Sequence, residues 1–314
     1  MRTRLLDDPA EAAALLRAGG LVAFPTETVY GLGANALDEG AVARIFVAKG
    51  RPSDNPLIVH VAHARDALHV AERMTADGER LAAAFWPGPL TLVLARRASV
   101  PAAVSAGLAT VGVRVPGSAL ARAFLEACGL PVAAPSANRS GRPSPTTWEA
   151  VRDDLDGRID AILRGPRAAS GLESTVVDAT GDVPLVLRPG AVTLEALRAV
   201  VPTVRAAEAG SDLLARSPGT RHRHYAPHAR VVLAGPDVIP DAEPAAWIGL
   251  HAPARPGAFA RLHVAPSVEA YAHEAFAFFR ACDAAEIAVI VCEPPPPDGL
   301  GAALLDRLMR AAAG

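Results

Sequence analysis

Short apolar runs alternate with segments of helical periodicity along the amino-terminal two thirds of the chain. The apolar runs predict buried strands at 21–25, 57–61, 90–94, 111–115, 132–134, 159–163, 175–177 and 185–187. Helical patterns fall at 40–48, in the stretches between the strand at 57–61 and about residue 84, and at 118–128. An earlier helix begins at Asp8-Pro9, where Asp8 can cap the helix and Pro9 suits its first turn. Such a mixture predicts a layered α/β or α+β fold.

The pattern changes at about residue 201. Residues 202–228 contain few apolar runs and many Pro, Gly, His and Arg, which predicts an irregular segment between two domains. Strands follow at 231–233, 246–250 and 287–291, with helices at 267–284 and 300–313. This alternation predicts a small parallel-sheet domain. We therefore divide the chain into a catalytic domain at 1–201, a linker or lid at 202–228 and a carboxy-terminal domain at 229–314.

Composition narrows the classes of protein. The 314 residues are 51% hydrophobic, and a net charge of −2 argues against a general nucleic-acid binder without excluding a local basic cleft. Cys128, Cys282 and Cys292 have no C-x-x-C spacing, which indicates a reducing compartment with neither disulfides nor a zinc site. The amino terminus lacks the apolar stretch of a signal peptide, and no run reaches the length of a membrane span. These features predict a cytoplasmic protein.

Lys49 is the single lysine among 31 cationic residues. In an arginine-rich chain, a surviving lysine suggests a position that needs a compact ammonium, although chance alone could place it there. Together with Arg51 and Asn55 it would make a polyphosphate clamp; the alternative is a solvated basic turn. No glycine-rich phosphate loop is present, so polar residues at strand ends would have to hold any nucleotide.

Polar clusters at strand ends are the further candidates. Thr28 and the glycines Gly31 and Gly33 follow the first predicted strand, where glycine would let the backbone approach a ligand. The loop at 133–144 is rich in Ser, Asn and Arg, and a third cluster occupies 171–178 with 188–190 beyond it. The alternative for each is an ordinary solvated turn.

Single residues add to these clusters. Arg114 lies within an apolar strand and needs a charge partner, either a bound carboxylate or a structural Asp or Glu. His60 could equally be a hydrogen-bonded core histidine. Tyr225 in the linker could close over a base or ribose, or simply anchor the linker. His222, His224 and His228 lack Cys or acidic companions, so we predict no metal site there.

The combination of motifs resembles a known family. Lys49-x-Arg51 followed by Ser136-x-Asn138 is similar to the signature of YrdC-type threonylcarbamoyl-AMP synthases. The segments 25–32, 173–178 and 188–190 resemble further family motifs, and 217–219 with 224–227 resembles the linker of the long, two-domain members. Residues 299–303 and 306–308 resemble the carboxy-terminal domain of those members.

The resemblance implies a fold, a reaction and a set of roles. The fold would be a twisted mixed sheet around a concave cationic cavity, plus a small Rossmann-like domain. The enzyme would join L-threonine, bicarbonate or CO2, and ATP with Mg2+, and a partner transferase complex would move the product to tRNA. Lys49 and Arg51 would be catalytic. The residues matched to ATP are Lys49, Arg51, Asn55, Thr110, Ser136, Asn138, Ser144, Arg188 and Tyr225, and those matched to threonine are Thr28, His60, Arg114, Ala134 (through its backbone) and Ser174.

Two alternatives stay open at this point. One is a carbamoyl-adenylate-forming enzyme, whose relatives carry zinc-finger modules that three scattered cysteines cannot supply. The other is a module that binds double-stranded RNA or tRNA weakly through phosphate contacts. Pyrophosphate release discriminates among the three, because a synthase needs threonine for it, the second enzyme needs carbamoyl phosphate, and a binding module releases none.

Overall fold

The structure is a computed structural model that describes residues 2–208, 210–219 and 225–313. In this part of the chain the helices are α1 (Pro9–Arg17), α2 (Glu39–Lys49), α3 (Ala76–Phe85), α4 (Ala102–Ser105), α5 (Ala119–Cys128), α6 (Trp148–Leu155), α7 (Leu194–Val200), α8 (Val268–Ala284) and α9 (Gly299–Ala312). Within the same ranges, no helix is both long enough and apolar enough to cross a membrane.

The described strands form two sheets. The first contains β1 (Arg4–Leu6), β2 (Val22–Phe24), β3 (Gly31–Asn35), β4 (Ile58–His60), β5 (Leu90–Ala95), β6 (Thr110–Arg114), β7 (Val132–Ala133), β8 (Ala161–Leu163), β9 (Thr175–Asp178), β10 (Leu185–Arg188) and β11 (Arg205–Ala206). The second contains β12 (Arg230–Leu233), β13 (Ala245–Gly249), β14 (Arg261–Val264) and β15 (Val289–Cys292).

The first sheet mixes parallel and antiparallel pairs, as the family resemblance implies. Its order is β1-β8-β2-β3-β7-β4-β6-β5-β9-β10-β11. At its centre β4 runs parallel to β6, while β5 runs antiparallel to β6 and parallel to β9. The ends of β4 and β6 therefore meet the beginnings of β5 and β9 at one edge. The candidate active site lies at this edge of the sheet.

Helix boundaries follow their capping residues. Asp8 accepts a hydrogen bond from the Ala10 amide, with Pro9 in the first turn, so α1 begins where the sequence predicts. Helix α2 begins after Asp38, whose side chain accepts from the Ala41 amide, and ends at Gly50 with φ +61°. This left-handed residue turns the chain sharply after Lys49, and glycine adopts it without steric cost.

The second sheet is parallel throughout, with the order β12-β15-β13-β14. Helices α8 and α9 supply a compact apolar core that includes Tyr271, Phe276 and Phe279. The small parallel α/β domain predicted from the sequence is confirmed. Strand β14 was not predicted, because Arg261–Val264 contains no apolar run and is a short, largely exposed strand at the edge of the sheet.

The predicted linker is more ordered than its composition suggests. Arg205 and Ala206 form β11, which pairs in parallel with β10 and adds an edge strand to the first sheet. The first sheet thus continues beyond residue 201, where we placed the domain boundary. A short 3-10 helix follows at Asp212–Arg216.

Buried ion pairs join the two domains directly. Arg280 of α8 donates to Asp154 of α6 at 2.8 Å, and Arg307 of α9 donates to Glu173 at 2.8 Å. Closer to the surface, Arg167 pairs with Glu274 at 3.0 Å. Residues 272–273 also pack tightly on Gly171 (φ +74°), where an added Cβ would lie 2.6 Å from the Cα of His273. The second domain is therefore fixed against the edge that carries the site.

Candidate active site

A cavity opens at the sheet edge where β4 and β6 end. His60 and Arg114 are register partners on these strands, and Ser174 directly precedes β9. The cavity has an empty volume of about 640 Å³, including the space open to solvent at its mouth. The described residues that line it are Thr26, Thr28, Val29, Gly31, Arg51, Pro56, Ile58, His60, Arg114, Ala134, Pro135, Ser136, Asn138, Arg142, Ser144, Glu173, Ser174, Arg188, Pro218, Gly219 and Tyr225.

Most residues that the sequence analysis assigned to ligands line this cavity. They are Thr28, Arg51, His60, Arg114, Ala134, Ser136, Asn138, Ser144, Ser174, Arg188 and Tyr225. Lys49, Asn55 and Thr110 are not part of the lining. Thr110 begins β6 and lies about 13 Å along the strand from Arg114, at roughly 3.3 Å per residue. Its assignment to ATP stays a prediction without a contact in this structure.

Arg114 has its charge partner within the protein. Its guanidinium donates to Glu27 Oε1 at 2.6 Å, to Thr28 Oγ1 at 2.9 Å and to the Gly88 carbonyl at 3.2 Å. Burial alone would raise the pKa of Glu27, but the charge of Arg114 outweighs it and lowers that pKa below its usual value. The need for a partner therefore does not indicate a bound carboxylate, and only the place of Arg114 in the cavity wall supports a binding role.

His60 lies beside Arg114 as a neutral ring. Burial lowers the pKa of His60 to about 3, and the positive charge of Arg114 acts in the same direction. The ring of Phe24 packs edge-on against it, with centroids 5.9 Å apart. Its Nδ1 is buried without a hydrogen-bond partner among the described residues. An orphaned polar atom in a cavity wall is suited to a ligand's donor or acceptor.

Lys49 lies behind the cavity wall and is 2% exposed. Its Nζ donates to the backbone carbonyls of Ser136, at 2.5 Å, and of Asn138. Burial lowers the pKa of Lys49 well below its usual value, and the nearby charge of Arg51 adds to this effect. In this conformation Lys49 holds the 136–138 loop from beneath, and its direct contact with phosphate stays a prediction.

The loop held by Lys49 is braced internally. Ser136 Oγ donates to Asn138 Oδ1 at 2.5 Å, and Asn138 Nδ2 donates to the carbonyls of Arg139 and Arg142 at 2.7 and 2.9 Å. Asn138 thus supports the backbone of this loop, and its assignment to ATP stays a prediction. Arg142 lines the cavity and pairs with Asp154 at 2.6 Å, a contact that sequence analysis missed.

Cationic groups gather at the opposite end of the cavity. Arg51 donates to the carbonyls of Asn55 and Pro56 at 3.3 and 2.9 Å. Burial lowers the pKa of Arg51 to about 10, so it stays charged at neutral pH. Arg188 donates to the carbonyls of Ser174 and Pro218, both at 3.0 Å. Asn55 lies behind them, where its Oδ1 accepts from the Gly219 amide at 3.4 Å.

Tyr225 closes this end. It has φ +64°, a conformation that an aromatic residue adopts only when its surroundings enforce it. Its ring stacks on Phe276 of the second domain, with centroids 5.4 Å apart, and also lines the cavity. The stacking on Phe276 anchors Tyr225 to the second domain, and its closing over a base or ribose stays a prediction. His222 and His224, which we considered as metal ligands, lie outside the described residues.

Glu173 is the cavity residue that sequence analysis failed to assign. It accepts from Ser144 Oγ at 2.5 Å on one oxygen and from Arg307 Nε at 2.8 Å on the other. Burial would raise the pKa of Glu173, but the charges of Arg307 and Arg188 keep it lowered. The sequence did contain a signal for Glu173. It is a carboxylate directly after an apolar residue and close to the start of β9, within the polar cluster at 171–178.

Two glycines show what the motifs require of the backbone. At Gly190 an added Cβ would lie 2.3 Å from the Thr175 nitrogen, so the turn after Arg188 must pass directly over the start of β9. At Gly33 it would lie 2.9 Å from Val132 Cγ1. Gly33 therefore serves the packing of β3 against β7, and the predicted approach to a ligand is wrong for this residue.

The mixed sheet, the cationic cavity at its edge and the small parallel domain together describe a two-domain α/β protein with a polar, cationic ligand site. The Sua5/YciO/YrdC family model, described as "Telomere recombination", matches residues 14–190, and the model described as "Threonylcarbamoyl-AMP synthase, C-terminal domain" matches 192–313. The chain belongs to the threonylcarbamoyl-AMP synthase family, in its two-domain form. The predicted family and fold class are thus confirmed.

Relatives agree over nearly the whole length. The threonylcarbamoyl-AMP synthase of Pyrococcus abyssi is 42% identical, over 96% of this chain and 92% of the relative. The threonylcarbamoyl-AMP synthase of Bacillus subtilis is 41% identical, over 98% of this chain and 94% of the relative. The crystal structure of P. abyssi Sua5 complexed with L-threonine is 38% identical, with a TM-score of 0.91, and the match covers 100% of this chain and 98% of that one.

Proposed function

We propose that the protein condenses L-threonine, bicarbonate or CO2, and ATP to threonylcarbamoyl-adenylate, with release of pyrophosphate. The observation that carries this proposal is one cavity with two chemically different ends. Thr28, neutral His60 and Arg114 form a small polar end, and Arg51, Ser144 and Arg188 form a cationic end. A small amino acid fits the first, and a triphosphate fits the second.

At the small end the amino acid is recognised by neutral and charged donors. The Arg114 guanidinium faces the cavity and would bind the threonine carboxylate, while Glu27 and Thr28 hold the guanidinium in place. His60 presents a ring that stays neutral in the working pH range. The same end includes Ala134, whose amide donates to the Ile58 carbonyl at 2.8 Å.

The reaction balances without a protein nucleophile. The threonine amine attacks CO2, a C–N bond forms, and one proton leaves to give a carbamate. A carbamate oxygen then attacks the α-phosphorus of ATP, while the bond between that phosphorus and the bridging oxygen to the β-phosphate breaks and pyrophosphate leaves. Such a transfer depends on positioning and on charge neutralisation. Arg51 and Arg188 supply the positive charge.

Magnesium would arrive with the nucleotide. Mg2+ keeps several waters and binds mainly through substrate phosphates with one or two carboxylates. The carboxylate in the lining, Glu173, already accepts hydrogen bonds on both oxygens, from Ser144 and from Arg307. This fits a metal held by the triphosphate, and when bound it would neutralise phosphate charge. Among the described residues, no group of three or more His, Cys, Asp or Glu is arranged to hold a metal.

The product is a reactive mixed anhydride, so a partner must consume it. We propose a tRNA threonylcarbamoyl-transferase complex as that partner and the cytoplasm as the compartment. Cys128, Cys282 and Cys292 are free and buried, which suits a reducing environment. Direct RNA binding by this chain would be weak and strongly dependent on salt.

Incorporation of radiolabelled bicarbonate into an adenylate, with and without threonine, tests the proposal. We expect label in the adenylate and one pyrophosphate per product only when threonine and ATP are both present. Pyrophosphate release that requires carbamoyl phosphate would assign the carbamoyl-adenylate reaction instead. Salt-sensitive RNA binding without any pyrophosphate release would assign a binding module.

A further inference from the structure

One arginine of the second domain reaches the nucleotide end of the cavity. Arg307 of α9 is 1% exposed. Its Nε donates to Glu173 at 2.8 Å and a terminal nitrogen donates to the Pro189 carbonyl at 3.0 Å. Its guanidinium carbon lies 5.3 Å from the centre of the Tyr225 ring, within cation–π range. A buried charge of this kind is tolerated only because its donors are used.

Three of the partners of Arg307, namely Glu173, Pro189 and Tyr225, belong to the cationic end or adjoin it. Glu173 accepts from Ser144, Pro189 follows Arg188 directly, and Tyr225 lines the cavity itself. These segments are remote from one another in sequence, and one side chain contacts all of them. Arg307 is not itself part of the lining, so any effect on a ligand must pass through these partners.

The sign of the charge on Glu173 makes this contact important. Glu173 lines the cavity, and a carboxylate repels a triphosphate at short range. Arg307 faces Glu173 at 2.8 Å and neutralises it, with Arg188 also close by. Arg307 also pairs with Asp306 through a different nitrogen, and Asp306 pairs in turn with Arg310. Removal of Arg307 would leave an unbalanced negative charge where phosphates are expected.

We propose that Arg307 is a positioning residue by which the second domain sets the affinity of the cavity for ATP, through neutralisation and orientation of Glu173. The inference rests on the proposed function for the identity of the nucleotide. It assigns the carboxy-terminal domain a part in substrate binding, because the residue that completes the cationic end belongs to that domain.

The test compares Arg307→Met, the double variant Glu173→Gln/Arg307→Met and Arg307→Lys with the wild-type chain. ATP affinity is measured at equilibrium by titration calorimetry, and the KM values for ATP and threonine by pyrophosphate release. We expect Arg307→Met to weaken ATP binding about tenfold or more while the KM for threonine stays within about twofold. The double variant should regain most of the ATP affinity, since the repelling charge is gone. The ATP affinity of Arg307→Lys should lie between those of Arg307→Met and the wild-type chain.

Glu274→Gln is the matched control. It breaks the Arg167–Glu274 pair, which crosses the same domain interface without contacting the cavity lining. We expect it to leave both affinities within about twofold. Equal losses for ATP and threonine in Arg307→Met, or no loss of ATP affinity, would overturn the proposal, as would a double variant that remains weak. If Arg307→Met does not fold, the double variant alone decides. Weak ATP binding by the double variant would then overturn the proposal.

The calorimetric measurement separates this inference from the proposed function. A wild-type chain that binds ATP but makes no threonylcarbamoyl-adenylate would refute the reaction and leave the Arg307 result standing. A wild-type chain that makes the adenylate, together with an Arg307→Met variant that binds ATP normally, would refute the role of Arg307 alone.

Discussion

The two ends of the cavity differ in which parts of the chain build them. At the threonine end, His60 and Arg114 stand at the ends of adjacent central strands, and Thr28 follows β2. At the nucleotide end, the walls come from the turn after β10, from the linker and, through Arg307, from the second domain. The first domain alone fixes one end, whereas domain docking completes the other. Substitutions should therefore separate the two affinities according to position.

Lys49 lies beneath the loop between the ends, so its replacement should have the largest effect. The ammonium fits between two carbonyls in a buried site, and the larger planar guanidinium cannot do so without moving the loop. We expect Lys49→Arg to lower turnover at least about 100-fold, or roughly 2.7 kcal/mol of transition-state stabilisation. Steady-state pyrophosphate release measures it, with circular dichroism to verify the fold.

Arg44→Lys is the control for Lys49→Arg, because it makes the reverse exchange at a partly exposed position of the same helix. It should retain turnover within about twofold. Near-normal turnover in Lys49→Arg would contradict the importance of a compact ammonium at this place. That outcome would leave the loop without a special requirement for lysine.

Arg114→Lys probes the threonine end directly. Lysine keeps the charge but loses the planar fork that contacts Glu27, Thr28 and Gly88 together. Charge-assisted hydrogen bonds contribute about 1.5–3 kcal/mol each, so we expect the KM for threonine to rise by roughly 10- to 100-fold. The KM for ATP should change by less than about threefold.

Arg164→Lys serves as the matched control for this exchange, since Arg164 pairs with Asp7 at the protein surface. A surface pair contributes about 1 kcal/mol or less, and both KM values should stay unchanged. Equal increases of both KM values in Arg114→Lys would show that the two ends are not separable.

Tyr225→Ala gives the complementary result at the nucleotide end. It removes a ring that lines the cavity and stacks on Phe276 of the second domain. Aromatic stacking on a base contributes on the order of 1–3 kcal/mol, so ATP affinity should fall about tenfold while threonine affinity changes less. Tyr225→Phe keeps the ring and should retain most of the ATP affinity. Equal weakening of both ligands, or of neither, would contradict a lid role.

The sequence predicted the threonine end more fully than the nucleotide end, for a physical reason. The family resemblance grouped Thr28, His60 and Arg114 for one ligand, and their positions at the ends of apolar strands explain why the fold brings them together. Ion-pair partners that are far apart in the sequence leave no comparable pattern of apolar and polar residues. Glu173 and Arg307 are separated by 134 residues, and no local periodicity connects them. Glu27 lies within the segment 25–32 that resembles a family motif, but only the folded chain identifies it as the partner of Arg114.

Elements of regular structure show the same limit. Strand β3 runs through Gly31 and Gly33, residues that weaken strand patterns, and it forms because β2 and β7 flank it in antiparallel pairs. Strand β11 is two exposed residues long and depends on β10 for its pairing. Both are products of tertiary pairing, whereas α1 and α2 follow from caps that can be read locally.

The smallest expected effect concerns the stability of the threonine end. Burial holds the pKa of His60 at about 3, below its ordinary value of 6.5. Between these values the unfolded chain binds more protons than the folded chain, so the stability contribution is complete above pH 6.5 and declines as the pH falls toward 3. One such proton changes the free energy of unfolding by at most about 1.4 kcal/mol per pH unit.

We therefore expect the wild-type chain to lose roughly 1 kcal/mol more than His60→Gln between pH 6 and pH 5, because glutamine does not titrate. Urea denaturation at each pH measures the difference. His63→Gln, at a partly exposed position three residues further on, should follow the wild-type curve. Parallel curves for the wild type and His60→Gln would mean that the His60 ring takes up a proton in the folded chain near pH 6. The threonine end would then be open to water, which would contradict the burial of the His60 ring.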